Sequence, residues 1–146
     1  MMNRRDFVKI SCVTCMGTTM ISSMLAGCAT THYVEGTLES NGISVAASEF
    51  KITDSTAAYR QYIIVRNERL EVPICVYRFS DSEYTALLMK CTHQGTELQA
   101  AGDHLHCSAH GSEFDNRGKV SLGPAEQSLR TFNVITTEGK LLIELK

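Results

Sequence analysis

Two short segments govern what this chain can fold into: Cys91-Thr92-His93-Gln94-Gly95 and Cys107-Ser108-Ala109-His110-Gly111-Ser112-Glu113-Phe114-Asp115. Each sets one thiol and one imidazole within a tight loop, spaced C-x-H and C-x-x-H. Thiolates and imidazoles are donors for transition metals, so the fold has to carry both loops to one place. Two Cys and two His are the ligand set of a tetrahedral zinc site. They are equally the set of a [2Fe–2S] cluster with two thiolates on one iron and two imidazoles on the other. The spacing alone leaves both open, and an absorption spectrum separates them because zinc protein is colourless.

The rest of the sequence reads as short strands. Asn41-Gly42 is a two-residue hairpin signal between Val34–Leu38 and Ile43–Ala47. Tyr59–Arg66 alternates and is rich in β-branched and aromatic residues; Val72–Phe79 and Tyr84–Met89 follow, parted by the turn Ser80-Asp81-Ser82. Leu129–Thr136 and Lys140–Leu145 flank a second hairpin signal, Glu138-Gly139. No long stretch has helical periodicity. The pattern predicts an all-β fold, an antiparallel β-sandwich or small barrel. Over 91–125 the alternation breaks and Gly95, Gly102, Gly111, Gly118 and Gly123 recur. That segment is expected as loops projecting from the sheet, outside its core.

At 146 residues the chain has room for one domain. Its first residues have a separate purpose. Asn3-Arg4-Arg5-Asp6-Phe7-Val8-Lys9 resembles a twin-arginine export signal, and Ile10–Ala26 is too short and too polar for a convincing membrane span. Leu25-Ala26-Gly27-Cys28 resembles a bacterial lipoprotein cleavage box. Residues 1–27 are therefore expected as a signal peptide and 28–146 as the mature domain, with Cys28 lipidated and the protein held at the periplasmic side of a membrane. Two or more acyl chains make such an anchor stable. The alternative is an uncleaved N-terminal anchor. Cys12 and Cys15 form a C-x-x-C pair inside the discarded segment, which leaves them no redox role.

Charge narrows the function. The formal charge is −2, and loss of a leader containing Arg4, Arg5, Lys9 and Asp6 leaves −4. An acidic domain without a basic stripe does not suit nucleic acid. Cys75 sits in an apolar strand and reads as a small buried residue. His104 and His106 flank the second box on one face of an expected strand and read as solvent-facing. Thr30–Glu39 is expected as a short tether running into the first strand; His32, within it, is assigned no role, and Asp115 is expected as a turn former.

With Gly123-Pro124-Ala125 as a third element, the two boxes resemble the Rieske [2Fe–2S] protein family, most specifically over Cys91–Ala125 and more loosely from Tyr33 to Leu145. The resemblance implies a Rieske-type β-sandwich with a cluster-binding loop subdomain and one [2Fe–2S] cluster. By the same resemblance, Cys91 and Cys107 would bind the inner iron, and His93 and His110 the outer. The Ser112 hydroxyl would hydrogen-bond a bridging sulfide, Gly95 and Gly111 would let backbone N–H groups approach, and Pro124 would belong to a loop covering the cluster. Two positions depart from the quinol-oxidising members: Thr96 and Ala109 stand where a disulfide would be. Phe114 stands where high-potential members have Tyr. The gap between His93 and Cys107 lies at the short end of the family range, and the three departures together imply a trimmed cluster loop and a potential below the top of the roughly −150 to +300 mV Rieske span.

The function implied is single-electron transfer with no catalytic site of its own. The partner would be a cytochrome, a molybdoenzyme or a membrane quinone system. A second reading is the Rieske subunit of a quinol:cytochrome oxidoreductase, and a third is a structural metal-binding lipoprotein. An oxygenase would need a further mononuclear iron site with two His and a carboxylate, for which the chain is expected to have neither the length nor the spare residues.

Overall fold

A computed structural model of the protein describes residues 31–52 and 58–146. The export signal, the Cys12–Cys15 pair and Cys28 lie outside those residues. The described residues form β1 (Tyr33–Glu35), β2 (Thr37–Leu38), β3 (Gly42–Ala46), a short 3-10 helix (Ala47–Phe50), β4 (Tyr62–Arg66), β5 (Ile74–Arg78), β6 (Tyr84–Leu88), β7 (Gln99–Ala101), β8 (His104–His106), β9 (Glu113–Asp115), β10 (Val120–Leu122), β11 (Thr131–Phe132), β12 (Val134–Thr137) and β13 (Lys140–Glu144). The all-β expectation holds.

Three sheets stack. The middle one has the order β1-β4-β5-β6-β11, and its neighbours are β12-β13-β3-β2 and β10-β9-β8-β7. The middle sheet is apolar on both faces because its strands alternate between two cores. Ile63, Val65, Ile74, Val76, Ala86 and Phe132 pack with Ile43, Val45, Phe50, Leu141 and Ile143 on one side. Ile64, Cys75, Tyr77, Leu87 and Met89 pack with Leu98, Leu105, Phe114 and Leu129 on the other. A strand covered on both faces has no polar face to display, which is why Ile74-Cys75-Val76-Tyr77 is buried without a break. The residue period of two survives only as a division between cores.

Two strands expected as continuous are each split between sheets. Val34–Leu38 breaks at Gly36: β1 pairs with β4, in parallel, and β2 pairs with β3. The crossing is tight, for a Cβ on Gly36 would lie 2.2 Å from Ile43 Cγ2 and 2.9 Å from Val65 Cγ1. Leu129–Thr136 breaks at Asn133, with β11 paired to β6 and β12 to β13. The Asn133 side-chain amide donates to Glu144 Oε2 at 2.7 Å across that junction.

The hairpin before β3 exists, but Gly42 is not its turn. Leu38 pairs with Ile43, the Glu39 N–H donates to the Gly42 carbonyl at 2.8 Å, and Gly42 opens β3. Glycine is needed there for close approach, since a Cβ would fall 1.9 Å from the Ile143 carbonyl oxygen. At Glu138-Gly139 the two-residue turn is as expected, with Thr137 opposite Lys140 and Gly139 at φ +79°. The 91–125 segment departs from expectation. It is not loops alone: β7–β10 form an antiparallel sheet whose Leu105 and Phe114 are fully buried. Three-residue strands are too short to leave a periodic signal in the sequence.

Gly42→Ala is expected to cost about 2 kcal/mol or more, because the clash is with backbone that cannot rotate away. Urea denaturation of wild type and variant measures it.

Candidate metal centre

The two boxes fold into two loops of the same form. In the first, the Cys91 N–H donates to the Thr96 carbonyl and the Gly95 N–H to the Cys91 carbonyl, both at 2.8 Å. In the second, the Cys107 N–H donates to the Ser112 carbonyl at 2.8 Å and the Gly111 N–H to the Cys107 carbonyl at 2.9 Å. Gly95 and Gly111 have φ of +79° and +77°, the left-handed conformation that glycine adopts without steric cost. One loop leaves the end of β6 and the other joins β8 to β9.

A third loop ties them together. Following the cis Gly123–Pro124 bond, the Ala125 N–H donates to Ser112 Oγ at 3.0 Å in the interior. Farther on, the Gln127 carbonyl accepts from Thr92 Oγ1 at 2.7 Å. The Ser112 oxygen thus accepts from the third loop and keeps its own proton to give. The Thr92–Gln127 bond had no signal in the sequence, because its partners are 35 residues apart.

The loops sort four donors by depth. Cys91 and Cys107 are 2% and 1% exposed and belong to the core with Leu105 and Phe114. His93 and His110 are exposed, their rings edge to face with centroids 4.9 Å apart. Burial pushes the Cys107 thiol up, but the backbone N–H groups of Ala109 and His110, the adjacent Cys91 thiol and the Thr96 hydroxyl outweigh it. The net shift is downward. Donors aimed at the sulfur favour the thiolate, which is the form that binds metal. Paired buried thiols beneath paired exposed imidazoles suit a group of two irons that takes two ligands of each kind.

Other residues are placed clearly. Cys75 is fully buried, and burial drives its thiol far above the ordinary range; it is a packing residue, as expected. The neighbouring Tyr77 hydroxyl is buried, with no partner in hydrogen-bonding geometry among the described residues. Asp115 does form a turn, its Oδ1 accepting from the Arg117 and Lys119 N–H groups at 2.9 and 2.8 Å. His32 is not idle: Nε2 lies 2.8 Å from Glu49 Oε2, and its carbonyl accepts from the Ile64 N–H at 2.9 Å. His104 and His106 lie on β8 and are half-buried rather than fully solvent-facing. Thr96 and Ala109 form no cross-link, and Cys75, Cys91 and Cys107 are free thiols.

A β scaffold presenting two Cys/His loops side by side defines a metal-centre class of protein, for zinc or for an iron–sulfur cluster. The profile of the Rieske [2Fe-2S] domain matches residues 50–133, and the chain belongs to that family, which binds one [2Fe–2S] cluster. The iron–sulfur subunit of the cytochrome b6-f complex of Chlorobaculum tepidum is 27% identical over 81 residues, covering 48% of this chain and 45% of that one. A chain in the complex of reduced oxygenase and oxidized ferredoxin of carbazole 1,9a-dioxygenase superposes with a TM-score of 0.51 at 25% identity, over 71% of this chain and 94% of that one. The plasma membrane Rieske protein PetC3 from Synechocystis PCC 6803 has the same fold, with a TM-score of 0.51 and 24% identity over 57% of this chain and 86% of that one. The chain spans less than half the length of the curated relatives it matches.

Ser112→Ala leaves the buried Ala125 N–H without a partner and is expected to cost about 1–3 kcal/mol. Chemical denaturation of the purified protein reads this directly, and an unchanged midpoint would contradict it.

Proposed function

We propose that the chain is a one-electron carrier whose [2Fe–2S] cluster is held by Cys91 and Cys107 on one iron and by His93 and His110 on the other. The observation that carries this reading is the depth order of the donors: thiols in the core, imidazoles at the surface, on two loops of one shape. When bound, the cluster supplies a single reversible electron at a potential that imidazole ligation raises relative to four-thiolate sites. The protein's own contribution is positional. The core around Leu105 and Phe114 excludes water from the thiol side. Ser112, accepting from the Ala125 N–H, keeps a hydroxyl proton to donate, and the N–H groups of Ala109 and His110 stabilise negative charge at Cys107. Gly95, Gly111 and Pro124 shape the walls. The exposed His93 and His110 edges are where a partner would come within electron-transfer distance.

On this reading the mature domain is residues 28–146. Its partner is a redox protein: a cytochrome, a molybdoenzyme or a membrane quinone system. The twin-arginine-like leader and the Leu25-Ala26-Gly27-Cys28 box support export and a lipid anchor at Cys28. A second reading, the Rieske subunit of a quinol:cytochrome oxidoreductase, is favoured by the similarity to cytochrome b6-f subunits. Thr96 and Ala109, in place of a disulfide pair, weigh against it, as does Phe114. Co-purification with a cytochrome b discriminates the two.

Protein made under cluster-assembling conditions should hold about two irons and two acid-labile sulfides per chain. Its dithionite-reduced form should give the electron paramagnetic resonance signal of a mixed Cys/His cluster, and His110→Ala should abolish that signal. A colourless, iron-free product would leave only the structural metal-binding reading. For the anchor, Cys28→Ala should move the protein from the membrane to the soluble fraction; retention in the membrane would refute lipidation at that residue.

A further inference from the structure

The outer face of the β7–β10 sheet carries two histidines that the four-donor site does not use. β8 reads His104-Leu105-His106, and Leu105 is fully buried. The period of two therefore turns both imidazoles to the opposite, outer face. On β9, Asp115 lies opposite His104 and Glu113 opposite His106. These carboxylates share that outer face, because Phe114 between them is buried. Directly opposed residues hold their Cβ atoms about 4.5–5.5 Å apart.

The two carboxylates differ in their commitments. Asp115 is engaged by the backbone of its own turn, and Glu113 is tied to no such turn. A further carboxylate, Asp103, places Oδ1 3.2 Å from His104 Nδ1. With Nδ1 carrying the shared proton, Nε2 is left as the free donor. A carboxylate behind a histidine in this way fixes the tautomer and ring orientation of a metal ligand.

We propose that His104, His106 and Glu113 form a second metal site, separate from the four-donor centre, for a divalent ion of the zinc, nickel or copper type. Two imidazoles and one carboxylate are a ligand set such ions accept, with the remaining positions left to water. Among the described residues no three such groups already converge on one point. Binding at this site therefore requires the three side chains to turn toward one point from fixed positions on β8 and β9.

The test uses the full chain with Cys12→Ser, Cys15→Ser and Cys28→Ser, loaded with iron and sulfide so that Cys91 and Cys107 do not compete, and zinc chloride as the probe. Equilibrium dialysis should find one zinc per chain with the iron content unchanged. His104→Gln and Glu113→Gln should each weaken binding at least about tenfold, while His32→Gln leaves it unaltered. A check that needs no variant is anomalous scattering at the zinc edge from soaked wild-type crystals. The peak should lie about 2.0–2.2 Å from donor atoms of His104, His106 and Glu113. The proposal is overturned by the absence of saturable zinc, by zinc that displaces iron instead of adding to it, by undiminished affinity in both variants, or by a peak elsewhere.

Discussion

The structure depends on a middle sheet that is buried on both faces. Its strands divide their side chains between two cores: Ile74 and Val76 point one way, Cys75 and Tyr77 the other. Apolar area removed from water contributes roughly 25 cal/mol per Å², and here one set of strands contributes on two sides. The outer sheets have only one apolar face each and gain their stability by covering the middle. The sheet beneath the Cys/His loops, with strands three residues long, has little independent stability. It is held by Leu105 and Phe114 packed against Cys75, Tyr77 and Leu87.

That dependence explains how the candidate centre is held. The two Cys/His loops belong to different sheets, the first to the end of β6 and the second to the β8–β9 turn. The third loop bonds to both, through Ser112 and through Thr92. The thiols sit at the boundary of the shared core, so packing fixes their position from below. The imidazoles are left at the surface, where a partner can reach them.

Local features were legible in the sequence, and choices between sheets were not. The two boxes, the Glu138-Gly139 turn, the Ser80-Asp81-Ser82 turn and the Asp115 turn each depend on residues close together in the chain. The breaks at Gly36 and Asn133 depend on which neighbour a strand finds, and neither residue announces that by composition. Gly42 carried the right residue for a different reason, because the sequence shows a glycine but not the Ile143 carbonyl facing it. Of the β7–β10 sheet the sequence shows only the strand carrying His104 and His106, because its strands are shorter than the window in which alternation can be recognised. For His32 the missing information was again distance, since Glu49 lies 17 residues away.

The repeated closure of the two Cys/His loops has a consequence for their mechanics. Each ring is fastened by main-chain N–H and C=O groups at both ends, and none of those bonds runs through the four side-chain donors. The walls around the thiols are thus stiffened by folding itself, before any ion is considered. A site whose frame is fixed this way has few soft coordinates with which to respond when a unit charge comes or goes, so the structural relaxation accompanying such a change is small.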